Sequence, residues 1–131
     1  MSNGRGWIGV DLDRTLAVYD IFRGNTHIGE PIPKMVNRVK RWLAEGWEVR
    51  IFTARVSKDG TPERDVLAEE ARAAIRDWVH THIGYDLGIT CIKDYHMVEL
   101  WDDRAVQVLP NTGMMMGVSP LGLEVPGEED R

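Results

Sequence analysis

Short apolar runs alternate along this chain with longer segments of mixed polarity. The runs at residues 7–12, Glu48–Phe52 and Met97–Trp101 have the length of buried strands, and a shorter run covers Ile89–Ile92. Strand-sized runs separated by helical segments are typical of parallel sheets with right-handed crossovers. The pattern therefore predicts an α/β fold, a single Rossmann-like domain whose mostly parallel sheet is flanked by helices.

Two of the intervening segments have the apolar periodicity of helices. The first runs from about Pro33 to Glu45, and Gly46 suits its end. The second begins at Thr61–Glu63, which combines a capping residue, a first-turn proline and a first-turn acid, and it reaches about His82. The loops beside these helices are short, so neither has room for a second folded domain.

The last part of the chain has a weaker pattern. Residues Ala105–Leu109 follow the preceding strand too closely for a helical crossover, which favours an edge strand or one arm of a hairpin. We therefore predict a core at residues 1–109 and an extension of unknown role at 110–131. Core filling or a mobile tail is the favoured interpretation of Met114–Met116, with a dimer contact or a lid as the alternatives.

Composition and charge exclude some partners. The 131 residues carry a formal net charge of -5, which gives no general attraction to nucleic acid or to anionic membranes. The single cysteine, Cys91, allows no intrachain disulfide, as is usual in a reducing compartment. With no leader and no membrane-length apolar run in the sequence, we expect a cytoplasmic monomer or homodimer with no membrane partner.

Polar chemistry follows three of the predicted strands. Asp11 and Asp13 end the first strand, Thr53–Arg55 follow the second, and Asp102 and Asp103 follow the Met97–Trp101 strand. Two carboxylates at the end of a buried strand repel each other and lose hydration, so this arrangement suits a metal ion or a phosphoryl group. Because the carboxyl ends of parallel strands meet at one edge of a sheet, these residues predict one site there.

This pattern resembles the haloacid dehalogenase-like superfamily of phosphohydrolases, and in particular its small members from bacteria and their phages. The resemblance extends from Trp7 to about Leu109. The matching residues, in chain order, are Asp11, Asp13, Thr15, Thr53, Lys93, Asp102 and Asp103. Four elements in the right order are far more specific than a lone Asp-x-Asp. The resemblance implies a phosphatase that hydrolyses phosphomonoesters through an aspartyl-phosphate intermediate.

The resemblance also implies a role for each catalytic residue. Asp11 would attack phosphorus, and Asp13 would protonate the leaving oxygen and then activate water. Thr53 would hold the phosphoryl oxygens, and Lys93 would neutralise the charge that gathers on them.

Further contacts are implied around these residues. Mg²⁺ would be bound by Asp11, the Asp13 backbone carbonyl and Asp102, with Asp103 as a second ligand or as outer support. The substrate contacts would come from four residues, namely Arg14, Thr15, Ala54 and Arg55.

Two departures from the family pattern stand out. Arg14 occupies a position that is usually glycine, so it either strains the turn or projects toward the substrate. Lys93 is followed by Asp94 where proline is common. The short loops predict an open site without a cap, which admits a nucleotide, a terminal phosphate of nucleic acid or another bulky phosphomonoester without choosing among them.

Three alternatives remain at this point. A receiver-like module also gathers carboxylates, a threonine and a lysine around Mg²⁺, but its acidic pair usually comes first in the chain. A non-catalytic phosphate-binding or Mg²⁺-binding protein would retain the site as a relic, with Arg14 as the lesion. A zinc site would draw on His80, His82 and His96, but the first two point apart on a helix and no cysteine ligand lies near them.

Overall fold

Four parallel strands form the main sheet of the computed structural model, which describes residues 4–119. They are β1 (Trp7–Asp11), β2 (Glu48–Phe52), β3 (Gly88–Thr90) and β4 (Met97–Trp101), in the spatial order β3-β2-β1-β4. The central strand β1 pairs in parallel with both β2 and β4. The predicted α/β fold with a parallel sheet and flanking helices is confirmed, and the arrangement is Rossmann-like.

Two helices connect the first three strands. Helix α1 spans Pro33–Ala44 and helix α2 spans Pro62–His82, each with a proline in its first turn, where a missing N–H costs nothing. Thr61 caps α2 as predicted, because its side chain accepts a 3.3 Å hydrogen bond from the Arg64 backbone N–H. Within the described residues, neither helix combines the length and the apolar content that a membrane span requires.

Both helices pack on one face of the sheet. Alternation along the strands directs Ile8 and Val10 of β1 and Val49 and Ile51 of β2 to this face. Buried side chains from both helices complete the cluster, among them Met35, Val36, Val39, Ala71, Ile75 and Val79. The core therefore fixes the sheet from one side and leaves its carboxyl edge to the loops.

On the opposite face of the sheet, the side chains of Trp7 and Arg50 cover the strands. Trp7 is 0% exposed there, with the Arg50 guanidinium 4.5 Å from its ring centroid. The Trp7 indole N–H donates to Asp94 at 2.8 Å, and Arg50 pairs with both Glu48 and Asp94. Because Gly9 has no side chain, Trp7 can lie over this strand, and a Cβ on Gly9 would lie 3.1 Å from the Trp7 ring.

The chain divides into two compact units between Trp101 and Asp102. The core at residues 1–109 with an extension at 110–131 stays a prediction. In the second unit, β5 (Gln107–Val108) pairs antiparallel with β6 (Met115–Met116). The hairpin predicted for 105–109 is therefore present, and two residues of the methionine run form its other arm. Residues 120–131 of the predicted extension lie outside the described residues.

Candidate active site

A tight turn after β1 brings Thr15 back onto Asp11. The backbone N–H groups of Thr15, Leu16 and Ala17 all donate to the carbonyl oxygen of Leu12, at 2.9 to 3.4 Å. The Thr15 hydroxyl then donates to Asp11 Oδ2 at 3.2 Å. Thr15 was predicted to contact the substrate, and the structure gives its hydroxyl a second role, which is to orient the half-buried Asp11 carboxylate.

Arg14 lies in the middle of this turn with a left-handed backbone. Its φ is 71°, a conformation that glycine adopts freely and that costs other residues about 1 kcal/mol. Its N–H donates to the Ala17 carbonyl at 2.8 Å, so the turn is fully formed despite the side chain. That side chain is exposed, and its guanidinium lies 5.5 Å from the Tyr19 ring centroid.

Asp13 forms a two-pronged ion pair with Arg55. Arg55 Nε donates to Asp13 Oδ2 at 2.9 Å, and Nη2 donates to Oδ1 at 2.8 Å. The pair is largely enclosed, since the Arg55 side chain is 12% exposed and that of Asp13 is 26% exposed. Parallel hydrogen bonds of this kind fix direction as well as charge, so Asp13 is held in one orientation.

The remaining terminal nitrogen of Arg55 anchors a loop. Arg55 Nη1 donates to the backbone carbonyls of Asn25 and His27, at 3.0 and 2.7 Å. The same loop is tied to α2, because the Trp78 indole N–H donates to the Gly29 carbonyl at 3.0 Å. Four of the five Arg55 N–H donors are thus engaged within the protein. Arg55, predicted as a substrate contact, here serves as the link between Asp13 and the loop.

Thr53 follows β2 at the level of Asp11. The Cα of Asp11 is paired with that of Phe52, so Thr53 lies one residue further along the same edge. It is 2% exposed, its N–H donates to the Thr90 carbonyl at 2.9 Å, and its hydroxyl oxygen accepts from the Arg55 N–H at 3.2 Å. Its hydroxyl hydrogen donates to no acceptor among residues 4–119, so it can serve a phosphoryl oxygen.

Ala54 begins a short 3-10 turn that spans Ala54–Val56. Its N–H donates to no acceptor within the described part of the chain. Arg64 holds this turn in place, because its Nη2 donates to the carbonyl oxygens of Ala54 and Arg55 at 3.3 and 2.7 Å. The turn therefore presents a backbone donor directly after Thr53, as expected for a group that binds phosphoryl oxygens.

Lys93 lies in the connection between β3 and β4. Its side chain is exposed and forms no hydrogen bond or ion pair with any residue between 4 and 119. Its neighbour Asp94 is fixed by Trp7 and Arg50 on the face of the sheet opposite α1 and α2. The role predicted for Lys93 stays a prediction.

Asp102 and Asp103 directly follow the last residue of β4. That residue, Trp101, is paired with Val10 in the sheet, and both carboxylates are half-buried. Asp102 Oδ1 accepts a 2.8 Å hydrogen bond from the Arg104 N–H, which fixes the start of the second unit locally.

The three histidines considered for zinc are not gathered into a site. His82 packs against Trp78 with ring centroids 4.7 Å apart, and His96 packs against Tyr95 at 5.6 Å. No cluster of potential metal ligands within residues 4–119 contains a histidine.

Sequence reasoning missed the backbone partners of Arg55. The Asn25 and His27 carbonyls lie 30 and 28 residues away from it along the chain, and a carbonyl leaves no mark in a side-chain pattern. The only available signal was the position of Arg55 just beyond a strand end.

Comparison with known proteins supports the fold. No model of a protein family matches the chain, and no curated protein matches it. The chain is similar to a solved structure of a conserved protein from Bacteroides thetaiotaomicron, with a TM-score of 0.52 and 19% sequence identity. The likeness covers 82% of this chain and 84% of that chain. At this identity it shows the fold alone, since one fold hosts many chemistries.

Proposed function

We propose that this protein is a Mg²⁺-dependent phosphomonoester hydrolase that acts through an aspartyl-phosphate intermediate. The observation that carries the proposal is the group at the carboxyl edge of β1 and β2. There Asp11 is oriented by Thr15, Asp13 is oriented by Arg55, and Thr53 directly follows the neighbouring strand. One nucleophile, one acid–base group and one phosphoryl-binding hydroxyl are what this reaction requires of a protein.

The first half of the reaction uses both aspartates. An Asp11 carboxylate oxygen forms a bond to phosphorus in line with the leaving oxygen, and the phosphorus–oxygen ester bond breaks. Asp13 gives its proton to that leaving oxygen, which departs as an alcohol. The Thr53 hydroxyl and the Ala54 N–H donate to the phosphoryl oxygens, and Lys93 offsets their negative charge.

The second half returns the enzyme to its starting state. Asp13 takes a proton from a water molecule, whose oxygen bonds to phosphorus while the Asp11–phosphorus bond breaks, releasing inorganic phosphate. Each Asp13 oxygen accepts one hydrogen bond from Arg55 and keeps a second lone pair for the transferred proton. Arg55 therefore holds Asp13 in position through both half-reactions.

The donor set fits a magnesium ion. From the sequence resemblance, we propose that the Asp11 carboxylate, the Asp13 carbonyl and Asp102 hold it, with Asp103 as a second ligand or as outer support. These are hard oxygen ligands of the kind that Mg²⁺ prefers. Asp13 supports this assignment, because its carbonyl oxygen accepts no hydrogen bond from any residue of the range 4–119. The bound ion supplies positive charge that lets a phosphate dianion approach these carboxylates.

The test is phosphate release from a broad panel of phosphomonoesters, including nucleotides and 5′-phosphorylated oligonucleotides. The panel is run with Mg²⁺ and with chelator, on the natural protein, on Asp11→Asn and on the exposed-loop control Asp59→Asn. We expect turnover that requires Mg²⁺, disappears in Asp11→Asn and persists in the control.

Two other outcomes would replace the proposal. Stable phosphorylation by a small phosphodonor without turnover would establish a receiver-like role. A folded protein that neither hydrolyses the panel nor binds Mg²⁺ would be a non-catalytic relic.

A further inference from the structure

We infer that Arg14 selects phosphomonoesters that carry a second phosphoryl group close to the one that reacts. This inference rests on the proposed function and names the class of substrate that the site prefers. It is drawn from the backbone of Arg14, from the surroundings of its side chain and from the state of the neighbouring arginines.

The backbone position places Arg14 beside the reacting groups. It lies between Asp13 and Thr15, in the turn that orients Asp11, so its side chain starts within one residue of the acid–base group. Its left-handed φ of 71° is one that glycine would adopt without cost. Backbone conformations of this kind persist where the surrounding structure enforces them, and they cluster at active sites and ligand clamps.

The surroundings of the side chain leave its charge available. The guanidinium is exposed and lies 5.5 Å from the Tyr19 ring centroid, a cation–π distance that limits its motion without neutralising it. No carboxylate in the described residues up to Trp101 forms an ion pair with it. An arginine held by a ring and not by an acid retains its donors for an external anion.

The neighbouring arginines are already committed to protein oxygens. Arg55 is occupied by Asp13 and by two backbone carbonyls, and Arg64 by the carbonyls of the 3-10 turn. Arg23 is paired with Asp20 at 2.9 Å. Of these four arginines, Arg14 alone has no side-chain donor that is taken by an oxygen of the described residues.

The ligand chemistry follows from this geometry. The reacting phosphoryl group is served by Thr53 and Ala54 on the β2 side, so Arg14 addresses a different part of the substrate. A planar guanidinium recognises phosphate oxygens through two parallel hydrogen bonds, which a neutral hydroxyl cannot match. The preferred substrate is therefore a phosphomonoester with a second phosphate a few bonds away, as in a nucleoside bisphosphate.

The kinetic test compares two probes that differ by one phosphate. Adenosine 3′,5′-bisphosphate and adenosine 5′-monophosphate are assayed with the natural protein, Arg14→Gln, Arg14→Gly and the control Arg23→Gln. We expect the ratio of kcat/KM for the bisphosphate over that for the monophosphate to fall about tenfold in both Arg14 variants, through KM. Arg23→Gln should retain the natural ratio. An unchanged ratio in the Arg14 variants overturns the inference.

A binding test separates this inference from the proposed function. Calorimetry at one fixed Mg²⁺ concentration measures pyrophosphate and orthophosphate binding to the natural protein and to Arg14→Gln, so that complexes in solution affect both proteins equally. We expect the ratio of the two affinities to fall about tenfold in the variant. If that ratio falls but no panel member is hydrolysed, the proposed hydrolysis fails and the Arg14 anion site stands. If hydrolysis occurs and neither ratio changes, the Arg14 assignment fails alone.

Discussion

Arg55 binds both carboxylate oxygens of Asp13 through two parallel hydrogen bonds of 2.8 and 2.9 Å. The same guanidinium holds the backbone carbonyls of Asn25 and His27. The proposed acid–base residue and the loop that follows the turn at residues 12–17 therefore share one anchor. We therefore treat Arg55 as a positioning residue, and its effect on Asp13 can be measured.

Replacing Arg55 should slow the reaction more than it weakens substrate binding. In Arg55→Gln, Asp13 loses both of its parallel hydrogen bonds, so we expect kcat to fall about a hundredfold with a smaller change in KM. The free energy of unfolding should fall by about 2 kcal/mol, because the enclosed Asp13 carboxylate loses its partner. Steady-state kinetics and denaturant unfolding measure the two effects.

A matched control distinguishes positioning from general destabilisation. Arg72 donates to the Ile89 carbonyl at 2.7 Å, away from Asp13, so Arg72→Gln should lose stability and retain kcat. Arg55→Lys restores the charge but not the parallel geometry and should recover only part of the activity. Natural kcat in Arg55→Gln would show that Asp13 does not depend on this pair.

The buried hydroxyl of Thr53 should contribute to activity by donating its hydrogen to a phosphoryl oxygen. Thr53→Val keeps the shape but removes both the acceptor for the Arg55 N–H and the donor that we assign to phosphate. We expect kcat/KM to fall about tenfold to a hundredfold, as for loss of one preorganised donor. Thr53→Ser retains the hydroxyl and should retain most of the activity. Equal losses in the two variants would mean that the methyl group, not the hydroxyl, is what the site needs.

A side chain at position 29 should displace the loop that Arg55 and Trp78 hold. A Cβ on Gly29 would lie 1.9 Å from the Val18 carbonyl oxygen, a backbone atom that cannot move alone. We expect Gly29→Ala to lower the free energy of unfolding by about 2–3 kcal/mol and to reduce activity. Thermal unfolding and the phosphatase assay report the two losses.

Gly24, on the same loop, is the control for Gly29. A Cβ there meets nothing within 4 Å, although its φ is 107°. Gly24→Ala should therefore cost only about 1 kcal/mol, from backbone strain. Similar losses at the two positions would indicate that loop flexibility, and not the contact with Val18, determines the effect.

Asp94 should give the fold an acid-sensitive contribution. The Trp7 indole N–H, followed by the His96 backbone N–H and the charge of Arg50, holds the pKa of Asp94 below its usual value. An aspartate whose pKa is lower in the folded state stabilises the fold fully above its unfolded pKa of about 3.9. That stabilisation disappears as pH falls through the lowered folded pKa.

Melting curves between pH 2.5 and 7 test this contribution. The difference in Tm between the natural protein and Asp94→Asn should be constant above about pH 5 and should shrink as the pH falls below about 4. Trp7→Phe removes the indole donor, so in that background Asp94→Asn should have a smaller effect at neutral pH. A Tm difference that does not vary with pH would show that the ionisation of Asp94 does not cause the loss of stability in Asp94→Asn.

The strand ends could be predicted because buried strands are apolar and the residues that follow them are polar. Val10 and Phe52 are apolar and the residues after them, Asp11 and Thr53, are polar, so β1 and β2 could be placed almost residue for residue. The capping residue Thr61 and the first-turn proline Pro62 likewise predict the start of α2. Such signals depend only on neighbouring residues, and they are enough to predict which residues lie at the carboxyl edge of the sheet.

The partners of the site residues could not be predicted in the same way. Arg55 bonds to carbonyls far along the chain, and Thr15 turns back onto Asp11 because of a backbone turn that Arg14 adopts against its preference. Contacts of this kind depend on how the loops fold over the sheet and not on any periodic pattern. For residues 105–109 the sequence likewise allows an edge strand or one arm of a hairpin, and it does not identify β6 as the pairing partner.

The strand order also determines when β1 becomes an interior strand during synthesis of the chain. β1, which carries Asp11, is an interior strand only because β4 pairs with its outer side, and β4 is the last strand of the sheet to leave the ribosome. Until then β1 is a sheet edge, with unpaired N–H and carbonyl groups of the sort that recruit other chains. The strand that carries Asp11 is thus shielded from aggregation only when synthesis of the sheet is complete.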